Sequence, residues 1–148
     1  MFVPFGQSLS EIRGWVESRD YIRKVALRNQ DTLVNILSEK QKVTYFFRDE
    51  ILYAIEDERF YTSAKEAERV TRTCLDYMSL NDTKVRHLPS ENGVARHASL
   101  EEDRVVELVV ETLPKKGGTR IYLKVTSRNH GPRMDTEELA SAIMKKGV

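Results

Sequence analysis

The side chains that could carry chemistry here are three histidines, one cysteine and a few clusters of carboxylates, and their spacing decides what they can do. His87, His97 and His130 form no HExxH, CxxC or comparable ligand pattern, so no metal site is expected. His87 and His97 flank the turn-forming run Pro89-Ser90-Glu91-Asn92-Gly93 and could approach one another across a hairpin. Two ligands without a visible third read more simply as solvated surface histidines. Cys74 falls on the apolar stripe of a helix, where a buried, inert thiol is expected rather than a nucleophile. Asp49-Glu50 and Glu56-Asp57-Glu58 have the chemistry for a divalent cation or for acid–base work. Adjacent acids on a strand point to opposite faces, however, and the expectation is a solvated surface. Ser127 and His130 with an acid make only a nominal triad, since closeness in sequence is not triad geometry. Gly117-Gly118 lacks the lysine and hydroxyl of a phosphate loop. No catalytic residue, metal or cofactor is assigned.

The charge pattern is sharper than any of these. From Lys115 to Arg133 there are six basic residues and no acid, in a chain whose formal net charge is only +1. Thr119–Arg128 reads as a strand in which Ile121, Leu123 and Val125 face one way and Arg120, Tyr122, Lys124 and Arg128 the other. A basic face with a central tyrosine suits a phosphate backbone and a stacked base. Lys115, Lys116, Arg120, Tyr122, Lys124, Arg128 and Arg133 are therefore the nucleic-acid-binding set.

The preceding segment tests that reading. Arg104–Thr112 paired antiparallel with Thr112 opposite Thr119 sets Val110, Leu108 and Val106 against Ile121, Leu123 and Val125. The same register sets Glu111 against Arg120, Glu107 against Lys124 and Asp103 against Arg128, so every outward base meets an acid. A rival reading has Ser99-Leu100-Glu101-Glu102 capping a helix through Leu113, which would leave the basic face open. Four valines and a register that satisfies both faces favour the hairpin.

The densest aromatic region is Tyr45-Phe46-Phe47 with Tyr53, Phe60 and Tyr61. Alternation sends Phe46 away from Tyr45 and Phe47, so one face is core. An uncovered second face would offer an apolar patch or strand edge to a partner, and Tyr45, Phe46, Phe47 and Tyr53 are the protein-interaction set.

Around these residues the sequence implies a frame. Ser8-Leu9-Ser10-Glu11 is a capping box opening a helix with Leu9, Ile12, Trp15 and Val16 on one face. Ile22, Val25, Ala26, Leu33, Ile36 and Leu37 continue at three-to-four spacing and predict further helix to about Lys40, with a break or bend at Asn29-Gln30-Asp31. Lys42–Arg48 is β-branched and aromatic and predicts a strand; Ile51–Ile55 is its partner or a short helix. Ser63-Ala64-Lys65-Glu66 is a second capping box, opening a helix over 64–79. Lys84–Leu88 and Val94–Ala98 suggest a small irregular hairpin, and Asp135–Lys145 a short C-terminal helix.

The sum is one α+β domain over 1–148: N-terminal helices, a small, mainly antiparallel sheet with a C-terminal hairpin at about 104–127, a middle helix and a short C-terminal helix. A charged fraction of 32% against 40% hydrophobic residues excludes a disordered or fibrous chain. No signal peptide or membrane-spanning stretch is visible, and a single cysteine precludes an internal disulfide; a cytoplasmic setting is expected. The functional expectation is a non-catalytic interaction or regulatory protein that binds another protein or itself. The alternative is RNA or DNA binding through 115–133.

Overall fold

The structure is a computed structural model that describes residues 5–17, 24–28, 32–80, 85–91 and 93–130. In chain order it runs α1 (Leu9–Glu17), β1 (Lys24–Arg28), β2 (Thr32–Ser38), β3 (Gln41–Arg48), β4 (Ile51–Tyr61), α2 (Ala64–Ser79), β5 (Arg86–Glu91), β6 (Val94–Leu100), β7 (Arg104–Leu113) and β8 (Gly118–Ser127). β2 to β8 form a seven-strand antiparallel sheet, and β1 adds an eighth strand at its edge. The spatial order is β1-β2-β3-β4-β8-β7-β6-β5. Each set of four strands is a meander of hairpins, α2 connects the two sets, and they join where β4 pairs with β8.

The C-terminal hairpin has the register its side chains imply. Thr112 faces Thr119, Val110 faces Ile121, Leu108 faces Leu123 and Val106 faces Val125. The helical reading of 99–113 is thereby excluded. The serine half of each capping box forms: Ser8 Oγ accepts from the Glu11 amide at 3.2 Å and Ser63 Oγ from the Glu66 amide at 3.2 Å. Ile51–Ile55 belongs to β4, and the irregular hairpin before residue 100 is β5–β6, whose register shifts between Leu88 and Glu91 around Pro89.

Two expectations need correction. In place of N-terminal helices running to about Lys40, among the described residues of this stretch only Leu9–Glu17 is helical, and 24–28 and 32–38 are strands. Three-to-four spacing is also what two short strands interrupted by polar residues can show; β2 lies between β1 and β3, and Leu33, Val34 and Asn35 on it are buried consecutively. Nor is the sheet small; each segment read as an isolated hairpin is one neighbour in an eight-strand array. The expected C-terminal helix lies outside the described residues.

A cross-strand row from Leu33 through Tyr45, Ile55, Val125 and Val106 to Ser99 marks one face of the sheet. On it α2 sets Ala67 and Met78 against Val106, Leu108, Ile121 and Val125. On the same face Ile12 of α1 meets Leu33, Tyr45, Phe47 and Leu52. Phe5 touches both clusters and joins them. Each aliphatic side chain removed from water there contributes roughly 1.5–3 kcal/mol. Both described helices therefore lie on one side, here the inner face; no described helix covers the outer one. No helix among the described residues is long and apolar enough to cross a membrane.

Candidate functional site

The outer face is built by alternation along β3, β4, β7 and β8. Lys42, Thr44 and Phe46 of β3, Glu56, Glu58 and Phe60 of β4, Arg120, Tyr122 and Lys124 of β8, and Glu107, Val109 and Glu111 of β7 share it. One row reads Thr44, Glu56, Lys124, Glu107 and Ala98 from strand to strand, and the next reads Lys42, Glu58, Tyr122 and Val109. Basic β8 is thus the middle strand of a trio whose outer members are both acidic on this face.

The contacts follow. Glu58 receives Lys42 Nζ at 3.0 Å and Arg120 Nε at 3.1 Å, one on each oxygen. Arg120 also stands 3.9 Å from Glu111 and donates to the Tyr122 hydroxyl at 3.0 Å. That hydrogen bond, more than the carboxylates, holds the guanidinium protonated above its ordinary range. Lys124 has Glu56 and Glu107 directly opposite and places Nζ 4.9 Å above the Phe46 ring. Burial pushes the Glu56 carboxyl up, and the Lys124 charge only partly offsets this.

The remaining basic residues are dispersed. Lys115 and Lys116 are exposed at the β7–β8 turn. The Arg128 amide donates to the Asp103 carbonyl at 2.9 Å, but its guanidinium reaches the carbonyls of Glu101 and Glu102 at 2.9 and 3.3 Å. The Asp103 carboxylate takes Arg104 instead, at 3.2 Å. The expected side-chain pair at this position is replaced, because the strands end here and leave carbonyls to be satisfied. Arg133 lies outside the described residues.

The aromatic set divides between the faces. Tyr45 and Phe47 are buried in the inner core with Ile12, Leu33 and Leu52. Phe46 and Tyr53 are half-buried, with ring centroids 6.3 Å apart. The register shift between Phe46 and Phe47 leaves Tyr53 as the extra residue of β4 beside the Phe46–Ala54 pair. Near the other end, Phe60 lies over Gly118 and, with Ile36, helps floor an open cleft of about 440 Å³ whose charged walls include Lys40, Lys42, Lys116, Arg120, Glu39 and Glu58.

The nominal catalytic groups are engaged structurally. Ser127 is buried and its hydroxyl accepts the amides of Asn129 and His130, both at 3.1 Å, closing a turn. Asp49 and Glu50 are the two central residues of the β3–β4 hairpin, with φ of 50° and 66°. Asp57, on the inner face, is held by Arg59 at 3.0 and 3.2 Å. Burial raises the Cys74 thiol above its ordinary range. No cluster of three metal-ligating side chains occurs among the described residues.

Sequence reasoning named Glu56, Glu58 and Phe60 but did not place them beside β8, and it did not single out Lys40 or Lys42. Alternation does place Glu56, Glu58 and Phe60 on one face of a strand; that this strand lies against β8 is a long-range pairing with no local signal. No family model, curated protein or solved structure matches the chain, so its own geometry carries the functional reading.

Proposed function

We propose that this chain is a non-catalytic interaction module that binds a protein surface, in the first instance a second copy of itself, through the outer face of its sheet. The observation that carries the reading is the mixed charge of that face: the bases of β8 lie between the acids of β4 and β7. Such a face presents little net positive field to a polyanion, whose affinity grows with the number of phosphates neutralised. It suits another mixed-sign surface. A two-fold-related copy displaced by one strand would set Lys124 against Glu56 or Glu107, with the Phe46 and Tyr53 rings supplying apolar contact.

Nucleic-acid binding stays the second reading, favoured by Lys115 and Lys116 at the exposed turn and by the basic cleft beside them. Sedimentation velocity across a concentration series separates the two. The interaction reading expects a concentration-dependent dimer that Phe46→Glu weakens and Lys115→Glu with Lys116→Glu leaves intact. A strict monomer that binds RNA or DNA with a steep salt dependence, abolished by the double lysine variant, would overturn it.

A further inference from the structure

At the edge of the sheet furthest from β1, His87 of β5 and His97 of β6 are directly opposed in the antiparallel register. Their Nδ1 atoms stand 2.6 Å apart and their rings meet edge-on at a centroid distance of 4.6 Å. Between two neutral imidazoles this contact requires one Nδ1 to donate and the other to accept. The two lone-pair positions are thus aimed at one small volume on the inner face, in the row of Leu108. His87 is exposed while His97 is partly sunk into the sheet, so the volume opens to solvent on one side.

We propose that His87 and His97 form a two-imidazole site for a divalent transition ion that favours cis nitrogen ligands, Cu²⁺ or Ni²⁺ ahead of Zn²⁺. Imidazole nitrogens bind such ions at about 2.0–2.1 Å, so cis ligands at a right angle stand roughly 2.9 Å apart and tetrahedral ones roughly 3.3 Å. The observed separation needs the smaller opening to reach the cis arrangement, which the solvent-exposed His87 ring would supply by swinging outward. On binding, the donor imidazole gives up its Nδ1 proton and takes one at Nε2, so two rings that start neutral release no net proton. The site favours that neutral form: burial, and then the neighbouring His87, hold the His97 imidazole below its ordinary pKa. Water completes the coordination, which makes the ion exchangeable. Mg²⁺ and Ca²⁺, which prefer oxygen ligands, are not held.

The test uses the full chain without an affinity tag, titrated with Ni²⁺, Cu²⁺, Zn²⁺ or Mg²⁺ alone and followed by calorimetry, with Cu²⁺ electron paramagnetic resonance reporting the number of bound nitrogens. The expected result is one Cu²⁺ or Ni²⁺ per chain with two equivalent imidazole nitrogens, weaker Zn²⁺ binding and none for Mg²⁺. His87→Ala, at an exposed position, should weaken binding at least tenfold, while His130→Ala leaves it unchanged. Absence of Ni²⁺ and Cu²⁺ binding, equal binding by His87→Ala, or loss of binding in His130→Ala would each overturn the assignment.

Discussion

Arg120 and Glu58 are joined at 3.1 Å across the β4–β8 boundary, one step diagonal from the register in which Arg120 opposes Phe60. The pair lies where the two four-strand meanders meet, so the same contact that seals the sheet also neutralises its basic strand. Glu58 holds Lys42 on its other oxygen, and one carboxylate thus restrains two cations of the outer face.

Releasing those cations should open a positive field on the outer face. Glu58→Gln combined with Glu111→Gln is expected to give measurable, steeply salt-dependent binding to single-stranded nucleic acid, at a stability cost of roughly 1 kcal/mol or less per lost cross-strand pair. Fluorescence anisotropy with a labelled oligonucleotide across a salt series checks this; an unchanged salt slope would show that these acids do not mask the bases.

Glu56 supplies the pH dependence. Its folded pKa lies above its ordinary value of 4.5, so between the two the native state binds more protons than the unfolded chain. Its favourable contribution is full below about 4.5 and is lost as pH rises through the folded pKa. Glu56→Gln should therefore flatten the decline in stability from mildly acidic to neutral pH. Urea midpoints at both ends of that range test it. A variant weakened chiefly at neutral pH would mean that Lys124 stabilises the charged form by more than burial opposes it.

The β3–β4 hairpin turns through Asp49 and Glu50 with both φ positive, the type I′ geometry that favours Asn-Gly or Asp-Gly. A left-handed conformation is costly for a glutamate. Glu50→Gly should stabilise the protein by roughly 0.5–1 kcal/mol, read as a higher melting temperature, whereas Glu50→Val should lower it.

Gly118 is required for closeness rather than for an unusual φ. A β-carbon there would stand 2.6 Å from the Tyr61 carbonyl oxygen and 2.7 Å from Phe60 Cε2. Gly118→Ala should cost roughly 1–3 kcal/mol, and the loss should shrink when Phe60→Ala is added, because the carbonyl contact alone then remains. Denaturant midpoints of the three variants decide it.

How much of this the sequence reveals depends on the range of each interaction. The β7–β8 register is legible residue by residue because apolar and charged residues alternate on both strands and a single pairing satisfies both faces. The helix at 64–79 is legible from its cap and stripe. The segment 24–38 misleads because its apolar spacing fits a helix as well as two strands, and its neighbours decide between them. The β4–β8 pairing is invisible locally, since Glu58 and Arg120 meet only after α2 and three further strands have intervened. For the same reason sequence supplies half of the neutralising acids, Glu107 and Glu111, and does not place Glu56 and Glu58 beside β8.

The most direct test of the outer face as a protein-binding surface is the ¹³C–¹H spectrum of the Phe46 and Tyr53 rings on serial dilution, with Tyr77 of α2 as the reference. Self-association through this face predicts concentration-dependent shifts for Phe46 and Tyr53 and none for Tyr77. Ring signals that stay fixed on dilution while added RNA or DNA shifts the Lys115 and Lys116 resonances would contradict it and transfer the function to the basic turn.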